Sequence, residues 1–297
     1  MINGILINME NQNLETDASV QHQREENFLE FRNISASKIN NEICIPYYEQ
    51  GVRLETLVEK WDLSEEELEI IGFILDSFKR PKSSDKLKRK DGRYIAVHSL
   101  QLFITARDFY GITDPDILYT LLLHDVAEDT QISLEDIKNR LGEKFSGLTS
   151  ALTEQREDTE NEIPSSRKRD VVRFTAQIAK AGFVAISAEI IDRIDDISDL
   201  GYILSKLREK PDNDTEKTSA KNKLLEKFAK CSYTVSRISV EENELIQKLN
   251  NDFEKLMWEQ IEKIRSEYGI NISEEEINDS LKDYSEIEEK FKEKSLS

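Results

Sequence analysis

The sequence predicts an all-α protein on three observations. Strand-like alternation is nearly absent, apolar residues recur three and four apart, and only ten Gly and five Pro interrupt 297 residues. Residues 1–45, rich in Asn, Gln, Glu and Ser, lack sustained apolar periodicity and are expected to form a polar, loose or partly disordered arm. From Tyr47 the pattern changes. Ser64 with Glu67 is a capping box that opens a helix to about Phe78, followed by a break from Pro81 to Asp85. Val97 to Phe109 places Leu100, Phe103 and Ile104 on a core-facing stripe. Asp114 and Pro115, a cap and a first-turn proline, open a helix expected to run through Ala127. It is apolar nearly all round from Leu118 to Leu123 and is therefore expected at the centre.

Ser133 caps a short helix that stops at Gly142, and another runs from about Glu143 to Thr153. The polar stretch Glu154 to Ser166, with Pro164, reads as a loop. Helices at about 165–181 and 184–199 are parted near Gly182, and beyond Pro211 to Asp214 the chain is charged and helical, with Ser273 and Glu276 marking a last start.

Composition narrows the function. With 41 Lys plus Arg against 60 Asp plus Glu, the formal charge is −19, which argues against coating nucleic acid or an anionic membrane. No apolar run approaches the roughly 18 residues of a transmembrane helix. Met1 to Gln23 lacks the basic start and apolar stretch of a secretion signal, and Cys44 and Cys231 make no disulfide framework. A reduced, cytoplasmic protein is the expectation.

Three features carry chemistry. The chain has three histidines, His22, His98 and His124. His124 adjoins Asp125 at the end of the apolar run, with Glu128 four residues after His124 and Asp129 four after Asp125, so that all four share one broad face if the helix continues. Adjacent ionisable groups in a buried helix need compensation, and a divalent cation supplies it; a capped helix end with solvated acids is the plainer alternative. In Ala188 to Ile197 the stripe Ile190, Ile191, Ile194 and Ile197 leaves Asp192 at its edge, near a shared site or on a solvated face. Finally, Lys79 to Arg93 holds eight basic residues against Asp85 and Asp91, either a phosphate-binding rim or a soluble lysine-rich loop.

Taken in order, His98, His124-Asp125 and Asp192 resemble the H…HD…D metal-ligand signature of the HD phosphohydrolase superfamily. Arg89-Lys90-Asp91-Gly92-Arg93-Tyr94-Ile95-Ala96-Val97-His98, His124-Asp125-Val126-Ala127-Glu128-Asp129-Thr130 and Ile191-Asp192-Arg193-Ile194 are similar to the R-K-x-G…Y-I-x-H, H-D-V-V-E-D-T and A-D-R-L motifs of RelA/SpoT-type alarmone hydrolases. The resemblance covers roughly residues 60 to 205 and implies a hydrolase domain over 46–205, an HD-type helical bundle, followed by a charged helical C-terminal extension, 206–297. It implies one Mn²⁺ on His98, His124, Asp125 and Asp192, an acid/base pair in Glu128 and Asp129, and substrate contacts from Arg89, Lys90, Thr153 and position 196, with Arg89 packing on the base. His98-Ser99 stands where the family has H-P. Asp195-Asp196 stands where it has H-N, so an amide facing substrate becomes a carboxylate that repels phosphate unless protonated or metal-bound. No synthetase motif follows residue 205.

The implied activity is removal of the 3′-pyrophosphate from ppGpp or pppGpp, a small nucleotide substrate, with no membrane and no stable nucleic-acid complex. Alternatives are another nucleotide or a pyrophosphorylated tRNA 3′ end, or a degenerate domain that binds an alarmone as a signal. Leu245, Ile246, Phe253, Leu256, Ile261 and Ile264 recur at helical spacings in the acidic C-terminal part, as a hairpin folded over the core or as a homo-oligomer surface.

Overall fold

A computed structural model describes residues 17–59, 61, 63–82, 87–89, 92–154, 164–209, 214–238 and 243–295. Among the described residues it is all-α, with only isolated bridges, Pro81 with Thr130 and Lys88 with Tyr94, in place of strands.

Helix α1 (Asp17–Lys38) runs through a π-helical turn (Ile39–Cys44) into the short α2 (Ile45–Glu49) and α3 (Leu54–Leu57). Residues 17–44 are thus helical, against the loose arm expected there; residues 1–16 lie outside the described residues. Phe28, Ala36, Ile39, Ile43 and Cys44 are buried, and Phe28 meets Phe109 edge-on at 5.0 Å. The stripe is hard to see in the sequence because Arg32 occupies one of its buried positions.

Helix α4 (Glu65–Phe78) starts on the Ser64/Glu67 capping box, both of whose hydrogen bonds form. Then α5 (Ala96–Ile104), buried at every position, passes into a second π-helical turn, Thr105–Phe109. Next, α6 (Pro115–Leu123) is capped by Asp114 and buried from Ile117 to Leu123. The helix expected through Ala127 stops here: His124 and Asp125 form a turn, and α7 (Val126–Asp129) is a separate short helix. Helices α8 (Leu134–Leu141) and α9 (Glu143–Leu152) follow. Residues 155–163, most of the expected loop, lie outside the described residues.

Helices α10 (Pro164–Ala181) and α11 (Phe183–Ser198) are separated by Gly182 at φ 84°, ψ −168°, a conformation only glycine adopts cheaply. An unexpected α12 (Gly201–Glu209) precedes the three long helices α13 (Asp214–Ile238), α14 (Glu244–Tyr268) and α15 (Glu274–Ser295). The centre of the fold is α11, packed against α6, α10, α13 and α14 and, more lightly, against α5. Of the expected C-terminal stripe, Ile246, Phe253, Leu256, Ile261 and Ile264 are buried in this same core together with Leu249, while Leu245 is half-buried against it, so the stripe is used within the chain. No helix among the described residues is long and apolar enough to cross a membrane.

Candidate metal centre

Three central elements each deliver part of one cluster. His98 stands in the first turns of α5, His124 and Asp125 form the turn between α6 and α7, and Asp192 projects from the middle of α11. One ligand atom from each of His98, His124 and Asp192 lies within 4.8 Å of the others. His98 Nε2 is 3.0 Å from Asp192 Oδ1 and 3.9 Å from Asp125 Oδ2; His124 Nε2 is 3.1 Å from Asp125 Oδ2 and 3.9 Å from Asp192 Oδ1. The imidazoles lie 5.2 Å apart, nearly edge to face.

The break after Leu123 makes this possible. Asp125, at φ −91° and ψ −7°, turns the chain before α7 begins. His124 Nδ1 donates to the carbonyl of Leu121 at 2.8 Å, a bond that only an Nδ1–H can make. In the neutral ring that leaves the Nε2 lone pair buried and facing the Asp125 carboxylate 3.1 Å away, with no proton between them. Imidazole nitrogens and carboxylates converging with one nitrogen unsatisfied are a donor set that fits a divalent cation.

The electrostatics agree. Burial, and for His98 the nearby Arg89 charge, push the imidazoles down, yet the carboxylates outweigh both, so His98 is raised to about 9 and His124 to about 10. Despite its own burial, Asp125 is held well below the usual carboxylate range by His124 and His98. The cluster therefore demands positive charge, as protons or as a cation.

Around it lie groups that local spacing does not reveal. His98 Nδ1 is 3.0 Å from Asp195 Oδ2, and Asp195 Oδ1 accepts from Arg32 Nε at 2.5 Å. Arg193 donates to Glu189 at 2.6 Å and to Asp196 at 2.5 Å, and its Nη2 lies 3.4 Å from Asp192 Oδ2. Asp196 also accepts from Lys227 of α13 at 3.1 Å. Arg193 and Lys227 thus neutralise it and, against its burial, hold its carboxyl well below the usual carboxylate range. Asp195 carried a signal, standing three residues after Asp192 on the same helix face; Arg32 and Lys227 carried none.

The remaining expected residues are spread around the rim. Glu128, half-buried, accepts from the backbone N–H of Glu154, and its carboxyl is raised to about 7 by burial and by the Asp125 charge. Asp129 is half-buried at the end of α7, where its carbonyl accepts from the Lys82 N–H. The Thr153 hydroxyl donates back to the Thr149 carbonyl. Arg89 and Arg93 reach Asp199 at 3.4 and 3.1 Å, and together with Arg32, His98 and Asp195 they line a cavity of about 10 Å³, the size of one water. Other cations of the basic stretch hold the protein itself: Lys79 pairs with Asp76, Lys82 caps Ala127 of α7, and Lys88 pairs with Glu49. Lys90 lies outside the described residues.

Fold and cluster together define a protein that is all-helical among the described residues, with a buried two-histidine, carboxylate-rich cluster that could hold a cation. Proteins named for hydrolysis of ppGpp are similar to it. Over 223 residues the chain is 27% identical to guanosine-3′,5′-bis(diphosphate) 3′-pyrophosphohydrolase of Aquifex aeolicus, covering 70% of this chain and 31% of that protein. Over 89 residues it is 34% identical to guanosine-3′,5′-bis(diphosphate) 3′-pyrophosphohydrolase MESH1 of Drosophila melanogaster, covering 30% and 46%. The matched regions thus span less than half the length of either relative. A solved structure, a metazoan ortholog of SpoT that hydrolyzes ppGpp, aligns at a TM-score of 0.47 and 20% identity, over 65% of this chain and 96% of that one. No protein-family model matches.

Proposed function

We propose that this chain is a divalent-cation-dependent pyrophosphohydrolase that removes the 3′-pyrophosphate of ppGpp, pppGpp or a close relative. The observation that carries the proposal is the convergence of ligand atoms of His98, His124 and Asp192 to within 4.8 Å of one another, with Asp125 3.1 Å from His124 Nε2, in a chain similar to proteins named for that activity. These four residues hold the ion, which we take to be Mn²⁺ on the resemblance of the motifs; mixed nitrogen and oxygen donors suit it. When bound, such an ion polarises a phosphoryl oxygen and lowers the pKa of a coordinated water.

The chain's own residues do the rest. Glu128, raised to about 7, is suited to take up and return a proton near neutral pH, with Asp129 beside it as the second carboxylate. Arg89 exchanges its long contact with Asp199 for the nucleotide, joined by Lys90, while Thr153 faces the substrate. At position 196 a diphosphate meets a carboxylate already neutralised by Arg193 and Lys227, which removes the repulsion a lone Asp would exert. The same reading places the protein in the cytoplasm with a small nucleotide as its partner. Its buried, unbridged thiols at Cys44 and Cys231 accord with a reducing setting.

The test is direct. Purified protein with Mn²⁺ releases pyrophosphate from ppGpp, and His124→Ala or Asp125→Ala reduces release to background while leaving the helical circular-dichroism spectrum in place. Absence of release by the wild type across guanosine and adenosine 3′-pyrophosphates sinks the proposal, and metal analysis of the protein as purified identifies the ion.

A further inference from the structure

His98 offers one ring nitrogen to the cluster and the other to the interior. Nε2 lies 3.0 Å from Asp192, and Nδ1 lies 3.0 Å from Asp195. An ionised carboxylate accepts hydrogen bonds and donates none, so Asp195 keeps a proton on Nδ1; Asp192 does the same for Nε2 until a cation takes that proton's place and meets the Nε2 lone pair. Asp195 is itself only 5% exposed. A carboxylate so enclosed needs a cation of its own, and the cation here is Arg32, 3% exposed, whose Nε donates to Asp195 at 2.5 Å while Nη2 lies 3.4 Å from Asp199.

Arg32 arrives from 163 residues away, on α1. Phe28 and Ala36, one turn to either side, are buried and apolar, so packing alone would be served by Leu or Met at position 32. A guanidinium costs more to bury than either and is favoured only where its charge and its fixed fork are used. Both are used: one edge of the fork meets Asp195 and another nitrogen reaches Asp199.

We infer that Arg32 is a positioning residue of the metal centre: by neutralising Asp195 it fixes the proton and ring orientation of His98, making the N-terminal helix a structural part of the site. The inference rests on the metal-centre reading of the proposed function. It extends that reading beyond the four ligands to a chain of three groups, Arg32 to Asp195 to His98.

The experiment compares wild type with Arg32→Met, Arg32→Gln and Arg32→Lys. In metal-stripped full-length protein, proton–nitrogen NMR of the histidine ring reads the Nδ1 proton of His98, expected as a downfield, slowly exchanging signal. Calorimetric titration with Mn²⁺ alone reads affinity. In Arg32→Met the signal shifts or vanishes and Mn²⁺ affinity falls by about 10- to 100-fold, the range for loss of an outer partner of a ligating histidine; Arg32→Lys recovers part of both. Arg32→Gln keeps a donor and loses the charge, and it carries the test with the same expectation if the Met variant does not fold. A folded Met or Gln variant with the wild-type Nδ1 signal and wild-type Mn²⁺ affinity overturns the inference. Should wild type bind no Mn²⁺, the metal reading fails by itself, and the Nδ1 signal alone decides whether Arg32 governs His98.

Discussion

At the scale of single residues, the arrangement turns on which buried charge meets which partner. Asp196 is shared by Arg193 and Lys227, and Arg193 is also committed to Glu189. Removing the Lys227 ammonium in Lys227→Met leaves Asp196 underpaired. Because about a quarter to a third of both side chains remains exposed, the expected loss is about 1–2 kcal/mol, below that of a fully buried pair. Urea denaturation reads that loss. Steady-state kinetics reads a raised KM for the nucleotide with kcat little changed, and the double variant Asp196→Asn/Lys227→Met recovers most of both; a Lys227→Met protein matching wild type on both counts would discard the compensation. The cost of burying ionisable groups pointed to the His124-Asp125 pair alone; the grouping of His98, His124 and Asp192 was legible through the resemblance of the three motifs. Arg32 and Lys227 were not, since no local spacing encodes a cation that meets its acid 163 or 31 residues away.

At the scale of elements, what was legible was local. Ser64, Asp114, Ser133 and Ser273 begin helices where their side chains bond to backbone two or three residues on. What was missed was tertiary. The helix read through Ala127 stops at Leu123 because His124 bonds back to Leu121 and Asp125 turns toward the cluster. Helix α1 was read as loose because Arg32 interrupts its stripe. Gly182 sets where α11, the carrier of Asp192 and Asp195, begins. Beyond its own chain neighbours, no atom lies within 4 Å of a methyl group placed there, so Gly182→Ala pays only for its backbone conformation. The expected destabilisation is about 1–3 kcal/mol by denaturant titration, with Mn²⁺ affinity retained in the folded fraction; no measurable loss would mean that the α10–α11 junction is not held at positive φ.

For the molecule as a whole, the net charge of −19 hides a centre that takes up positive charge. His98 and His124 titrate near 9 and 10 against an ordinary 6.5. Folded-state values above the unfolded one stabilise the metal-free protein fully below about pH 6.5, and that contribution is lost as pH rises through 9 and 10. A bound cation displaces the same protons, so its stabilisation grows with pH. The gap in Tm between Mn²⁺-loaded and EDTA-treated protein is therefore expected to widen from about pH 6 to about pH 8.5; a gap that stays flat or narrows counts against cation and protons sharing one site. The 163-residue separation of Arg32 and Asp195 also imposes an order on assembly. At ribosomal rates of about 5–20 residues per second, α1 waits on the order of ten seconds before Asp195 has been synthesised. Helix α1 already has α5 and Phe109 to pack on by then, so it is the Arg32–Asp195 contact, and not the docking of the helix, that closes late.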